Sequence, residues 1–274
     1  MDLNTITSVA RPRERSALGS AREGDAWLAG GTWLMSEPQP HLKRLVDLTT
    51  LDWPPLQVNE AGLSIAATCT VATLDALQLP VGWRAAALIG ECCRAFLASF
   101  KIWTMATVGG NLCLALPAGP MISLCAALDG DCLIWTPGGG ERRLAVVDLV
   151  VGPQRNALRA GELLRRIDLP EAAMKRRTAF RKISLTPLGR SGALLIGTLD
   201  AEGAFVLTVT ASTRRPVQLA FVGIPSPGDL ERRLDATIPA GLYYDDVQGR
   251  PDWRRHVTRD LAEEIRSELG DRKT

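Results

Sequence analysis

Two glycine-bearing segments carry the clearest chemical signal in the sequence, Ala29-Gly30-Gly31-Thr32 and Thr107-Val108-Gly109-Gly110-Asn111. A diphosphate needs several backbone N–H groups converging on one place. The chain can come that close only where side chains are small and positive φ costs little. Gly30-Gly31 and Gly109-Gly110 meet both demands, and each pair has side-chain donors beside it, Thr32 and Trp33 in one case and Asn111 in the other. Two loops could then grip two phosphates. A lone Gly-Gly is more often an ordinary turn, so the segments need support from their surroundings. Neither fits G-x-G-x-x-G or G-x-x-x-x-G-K-[ST], which removes the usual sequence support for a nicotinamide-type Rossmann site and for phosphoryl transfer.

Other chemistry is poorly represented. The six cysteines, Cys69, Cys92, Cys93, Cys113, Cys125 and Cys132, sit mostly among Ala, Leu and Ile, and no C-x-x-C pair occurs. They read as buried thiols of a reducing compartment, and the chain carries no recognisable iron–sulfur or zinc framework of its own. Cys92 and Cys93 are adjacent on a helical pattern, so their side chains diverge. The only histidines, His41 and His256, lie near no nucleophile and no third ligand, which argues against a hydrolytic triad or a histidine metal site. Tyr243-Tyr244-Asp245-Asp246 reads as a turn or subunit contact, and Arg214-Arg215-Pro216 as a solvated strand end.

The elements that must position the glycine segments follow from periodicity. Ala26 to Ala29 and Arg44 to Leu48 read as short buried strands, and Gly62 to Thr70 alternates as a strand before a helix from Val71 to Leu79, with Thr70 as its N-cap. Ala85, Leu88, Ile89, Cys92, Phe96 and Leu97 recur at helical spacing, and Met121 to Leu128 is helix-compatible. Thr136-Pro137-Gly138-Gly139-Gly140 marks a hairpin between Leu133 and Val147. Pro170 and then Lys175-Arg176-Arg177 mark a composition shift that predicts a domain boundary. Beyond it, Gly192 to Leu199 and Ala204 to Ala211 read as paired strands, and Leu230 to Leu234 and Trp253 to Leu269 as amphipathic helices.

Composition sets the outer limits. With 274 residues, 46% of them hydrophobic, the chain can fill one large core or two ordinary ones. Lys and Arg number 32 against 30 Asp and Glu, a formal net charge of +2, so no global field favours nucleic acid or an anionic membrane. No apolar stretch reaches membrane-spanning length and the start lacks a secretory pattern, so the expected location is cytoplasmic.

Leu28-Ala29-Gly30-Gly31-Thr32 followed by Leu45-Val46-Asp47-Leu48, and later Ala106-Thr107-Val108-Gly109-Gly110-Asn111-Leu112, resembles the flavin-binding subunits of molybdenum hydroxylases, the group of xanthine dehydrogenase and aerobic carbon monoxide dehydrogenase. Further matches keep the same order: Ile65 to Thr70, Leu158-Arg159-Ala160-Gly161-Glu162-Leu163-Leu164 with Pro170, and Asp252-Trp253-Arg254-Arg255. Shared order over most of the chain is what gives these short motifs weight.

The resemblance implies an α+β fold, a two-part FAD-binding domain of the vanillyl-alcohol oxidase type at 1–172 (small α/β part about 1–52, larger β-sheet part about 53–172), and an α+β C-terminal domain at 173–274. It implies that Trp27, Leu28, Ala29, Gly30, Gly31, Thr32, Trp33 and Leu34, with Thr107, Val108, Gly109, Gly110 and Asn111, wrap the diphosphate and ribityl chain of FAD. It also implies that Leu97 and Leu164 pack on flat ring surfaces. Arg181 falls where relatives often have a lysine near the flavin; read from its neighbours alone it is a solvated charge. Two departures stand out. Trp33 replaces an Asp or small polar residue, as either a ring-stacking or a core tryptophan, and Leu116-Pro117-Ala118-Gly119-Pro120-Met121 lacks the usual acidic residue.

The function so implied is an electron relay. FAD takes electrons from the 2Fe-2S clusters of a small iron–sulfur subunit, fed from a large molybdopterin subunit, and passes them to NAD, a quinone or oxygen; this chain itself supplies no catalytic acid or base. Two alternatives stand beside it, a stand-alone flavin oxidase or dehydrogenase of the same fold, and a flavin-free scaffold or assembly subunit.

Overall fold

The computed structural model describes residues 3–19 and 21–271. Strands β1 (Ser8–Ala10), β2 (Asp25–Leu28) and β3 (Arg44–Asp47) form a small parallel sheet in the order β1-β3-β2. β3 is central because Leu45 and Val46 are both buried, as a strand flanked on both sides requires. Arg44 and Asp25 face each other in register, and Arg44 Nε donates to Asp25 Oδ1 at 2.9 Å. This pairing holds the Asp25 carboxyl below its ordinary range and helps pin the register.

A larger antiparallel layer follows. β4 (Leu56–Asn59) and β5 (Gly62–Ala66) form a hairpin, and the chain then leaves the sheet through α1 (Val71–Asp75), α2 (Ala86–Ala95), α3 (Phe100–Trp103), α4 (Val108–Leu114) and α5 (Pro120–Ala127). It returns as the hairpin of β6 (Asp131–Trp135) and β7 (Glu141–Ala145), where Gly138 and Gly139 take φ of 80° and 88° in the turn. After α6 (Val146–Leu149), β8 (Val150–Gly152) and β9 (Arg155–Asn156), strand β10 (Leu163–Pro170) slots between β5 and β6. The sheet order is β4-β5-β10-β6-β7.

β10 lies just before the expected boundary, in a stretch to which the sequence reading assigned no element. Its Ile167 and Leu169 point into the core, while Arg166 and Asp168 face outward and satisfy each other, with Ser64 Oγ donating to Asp168 Oδ1 at 2.6 Å and Arg143 reaching Asp168 at 3.0 Å. A strand with one solvated face can carry charges at alternate positions, and these masked it.

Helix α7 (Glu171–Met174) still belongs to the second layer, since Ala173 and Met174 are buried in its core, and the third layer begins after it. β11 (Arg177–Ile183), β12 (Ala193–Leu199), β13 (Phe205–Thr210) and β14 (Val217–Phe221) then form an antiparallel meander covered by α8 (Pro227–Thr237) and α9 (Pro251–Gly270). α9 buries Val257, Leu261, Ala262, Ile265 and Leu269 on one face, as its 3.6-residue pattern dictates.

Helix α5 joins the second and third layers. All eight of its residues are buried, so it shows no polar face, and its polar groups find partners across the seam. Ser123 Oγ and Thr210 Oγ1 are 2.6 Å apart, and Gln218 Nε2 donates to Ala126 O at 2.8 Å. Leu194, Ile196 and Ala211 of the third layer consequently belong to the second layer's core. Among the described residues no helix is long and apolar enough to cross a membrane.

Candidate cofactor site

The first glycine segment leaves the C-terminal end of β2, the end of a parallel strand where α/β folds place their ligands. β2 is held in place by Trp27, whose indole N–H donates to Glu162 O at 3.0 Å and whose ring packs with Leu48, Leu51 and Leu163. Glu162 is itself almost fully buried, chelated by Arg142 Nε at 2.7 Å and Nη2 at 2.6 Å, and accepts from the Arg159 N–H at 2.8 Å. The Arg142 guanidinium holds its carboxyl below the usual range.

Beyond Leu28 the chain turns sharply. Gly31 has φ of 68°, and Met35 N–H closes the turn on Gly31 O at 2.8 Å. Gly30 is required for a different reason: a Cβ there would collide with the Met105 carbonyl oxygen and stand 2.7 Å from its carbonyl carbon. Ala29 and Gly30 to Leu34 are all half-buried, and among the described residues the backbone N–H groups of Gly30, Gly31, Thr32, Trp33 and Leu34 have no acceptor. The Thr32 hydroxyl has none there either. Such a run of free donors in one turn is what an anion requires.

The second segment is built differently from the turn the sequence suggested. It is the start of α4, with Thr107 as N-cap. Val108 N–H donates to Cys69 O at 2.9 Å, Gly109 N–H to Ala67 O at 3.0 Å, and Gly110 N–H to Thr107 Oγ1 at 3.0 Å. Its amides are therefore committed inside the protein, and the expectation that both segments offer free N–H groups is corrected here. None of Gly30, Gly109 and Gly110 uses positive φ. Gly109 is needed because a Cβ would stand 2.5 Å from Ala67 Cβ, whereas Gly110 is exposed and meets only Thr107 Oγ1.

What the second segment does present is the side chain of Asn111. Its Oδ1 accepts from Met121 N–H at 3.2 Å, tying α4 to α5, and its Nδ2 has no acceptor among the described residues. The two segments are brought together by the Gly30 contact with Met105 and Ala106, residues that precede Thr107 directly. Ala67, Met105 and Ala106 are thus site-forming residues that sequence reasoning gave no role. Their signal was present only as Ile65 to Thr70 and Ala106 appearing in ordered matches.

The remaining expected residues divide. Leu97 is half-exposed, with a free face near the start of α3. Leu164 is 2% exposed and packs inward opposite Ile134, so it has no face to offer a ring. Arg181 is held by α9 through Glu264 Oε2 at 2.7 Å and Glu268 Oε2 at 2.6 Å; its charge is met within the protein. Trp33 is half-buried, belongs to none of the three apolar clusters, and only its carbonyl is engaged, by Ser36. The segment Leu116 to Pro120 runs beside Asn111, whose Oδ1 would stand 2.9 Å from a Cβ on Gly119. Among the described residues no group of His, Cys, Asp and Glu could hold a metal ion.

Residues 6–172, more than half of the chain, match the family model of the FAD binding domain in molybdopterin dehydrogenase. The chain belongs to this family. A curated relative, the caffeine dehydrogenase subunit beta of Pseudomonas sp. (strain CBB1), is 33% identical over 88 residues, which cover 32% of this chain and 30% of that protein. The matched stretch therefore spans less than a third of the relative's length.

Solved structures share the fold over nearly the whole chain. Quinoline 2-oxidoreductase of Pseudomonas putida 86 superposes with a TM-score of 0.78 at 19% identity, covering 98% of each chain. Carbon monoxide dehydrogenase of Hydrogenophaga pseudoflava gives 0.77 at 16% identity over 95% of this chain and 96% of that one, and that of Oligotropha carboxidovorans 0.76 at 20% over 95% and 97%. The likeness extends through β11 to α9, beyond the stretch that the family model matches.

The residues present fit a FAD diphosphate. The free amides from Gly30 to Leu34, the Thr32 hydroxyl and the Asn111 amide offer a neutral donor set, and Gly30 and Gly109 pack against Met105 and Ala67 where a Cβ has no room.

Proposed function

We propose that this chain is the flavin-bearing electron-transfer subunit of a multi-subunit molybdenum hydroxylase. The observation that carries the reading is the run of acceptor-free amides from Gly30 to Leu34, closed by the Gly30 contact with Met105, in a chain of the FAD-binding family. FAD held there would supply the redox chemistry between iron–sulfur clusters of a small partner subunit and an external acceptor. The protein binds and orients. In this reading Gly30 to Leu34 would hold phosphate oxygens through N–H donors, Thr32 and Asn111 would add side-chain donors, and Trp33, free of the apolar clusters, would shield the cofactor from water.

Among the described residues, the hydrogen bonds around these donors involve no paired acid and base, which supports a relay over a stand-alone oxidase. Leu97, Phe100, Ile102 and Met105 are exposed apolar side chains on the segment that presses on Gly30. In this reading a partner subunit covers them, because an apolar patch next to a working site marks an interface. The partners are a small iron–sulfur and a large molybdopterin subunit.

The test is anaerobic reduction of the FAD-loaded chain. Bleaching by a reduced 2Fe-2S partner protein, but not by small organic substrates alone, is the expected result. Bleaching by a small substrate with no partner present would replace the relay with a self-contained enzyme.

A further inference from the structure

The family match ends at 172, yet the donor Asn111 is held from beyond that point. Arg254, on the first turn of α9, is 1% exposed, the largest fully buried side chain among the described residues. Its guanidinium spends its donors on three carbonyls and one carboxylate: Nε on Gly249 O at 2.9 Å, Nη1 on Gly192 O at 2.6 Å and also on Ala211 O, and Nη2 on Asp246 Oδ1. The Tyr244 ring lies 5.6 Å from its centre. A buried cation is tolerated only when paired and saturated in this way.

Ala211 is the informative partner. It sits in the left-handed region at φ of 62°, a conformation an alanine adopts only when its surroundings impose it. So held, its N–H donates to Pro117 O at 2.9 Å across the seam between the third and second layers. Pro117 belongs to the corner from Ala115 to Gly119, which Gly119 N–H closes on Leu116 O at 2.8 Å. That corner delivers Met121 N–H to Asn111 Oδ1, the bond that orients the Asn111 amide and leaves Nδ2 to donate. The chain of contacts from Arg254 to Asn111 is thus continuous.

We infer that Arg254 is a positioning residue for the diphosphate site, acting through Ala211 and the Pro117 corner on Asn111, so that the last hundred residues help to hold the cofactor as well as completing the fold. The inference rests on the FAD reading above. Arg254→Lys keeps the charge but cannot serve three carbonyls and Asp246 at once, so Ala211 loses its clamp.

FAD affinity is measured by flavin fluorescence on the full flavin-free chain as wild type, Arg254→Lys, Asn111→Ala and the double variant, with thermal melting of each alongside. The expected result is an affinity loss of about tenfold in Arg254→Lys at temperatures where it is folded, and no further loss when it is added to Asn111→Ala. The altered visible circular dichroism of the bound flavin should be the same in both single variants. Asp246→Asn, which leaves all three carbonyl bonds in place, tests the same clamp should Arg254→Lys fail to fold, with a smaller loss in the same direction. Unchanged affinity in a folded Arg254→Lys chain, or in Asp246→Asn if that variant has to stand in, overturns the inference alone. So do additive losses in the double variant. Failure of the wild-type chain to take up FAD overturns the reading beneath it as well.

Discussion

Gly30 and Met105 touch through backbone alone: the space a Gly30 side chain would need is filled by the Met105 carbonyl, and this contact sets the first glycine turn against the residues leading into α4. Gly30→Ala should therefore push the two segments apart. We expect a loss of roughly 1–3 kcal/mol in urea unfolding, the usual range for forcing extra volume into a packed site. FAD content should fall more steeply than stability, since the turn that carries the free amides is displaced. A Gly30→Ala chain with wild-type flavin content would show that the contact does not shape the cradle.

Gly110 gives the opposite balance. It is exposed, and a side chain there meets only Thr107 Oγ1, so Gly110→Ala should leave stability within about 1 kcal/mol, the scale of a weakened N-cap. Gly110→Asp adds a negative charge beside Asn111, on the face where we propose the diphosphate lies. It should fold and lose FAD, whereas Gly110→Ala keeps it. Equal flavin content in the two variants would move the diphosphate away from this face.

Glu162 supplies a pH dependence. Its folded carboxyl lies below the unfolded value of about 4.3, so the Arg142–Glu162 pair stabilises the fold fully above that value and the contribution is lost as pH falls through the lower folded value. Glu162→Gln leaves Arg142 without its counter-charge and should cost about 3 kcal/mol at pH 7. The gap between variant and wild type should shrink in unfolding curves taken below pH 4. A gap independent of pH would assign the effect to packing around Trp27.

The thiols should be silent in the native state. Burial pushes Cys69, Cys93, Cys113 and Cys125 up to about 12 and raises Cys92 and Cys132 as well, so almost no thiolate exists at pH 8. A chromogenic disulfide reagent should titrate none of the six quickly in native protein and all six after denaturation. Rapid native reaction of Cys113, the least buried of them, would show that the α4 region opens.

Much of the fold was legible because periodicity and turn chemistry agree with it. Thr70 caps α1, the Pro137-Gly138-Gly139 turn joins β6 to β7, and β12, β13, α8 and α9 fall where their patterns place them. What could not be read was long-range. β10 hides because its charges at Arg165, Arg166 and Asp168 find their place only once Ser64 and Arg143 are seen beside them, and α4 looked like a turn because Gly109 is dictated by Ala67, about forty residues earlier. At the site the same limit applies. Gly31 announces its positive φ by being glycine, but that Gly30 must be glycine depends on Met105, and that Leu164 faces inward and Arg181 is bound to α9 depends on strand pairing and on Glu264 and Glu268.

The central claim is that the Gly30 to Leu34 amides hold a diphosphate, and competition against FAD on the flavin-free chain tests it most directly. FAD should bind one per chain, ADP should displace it, and riboflavin, which carries no phosphate, should not. Displacement by riboflavin with no effect of ADP would contradict the account.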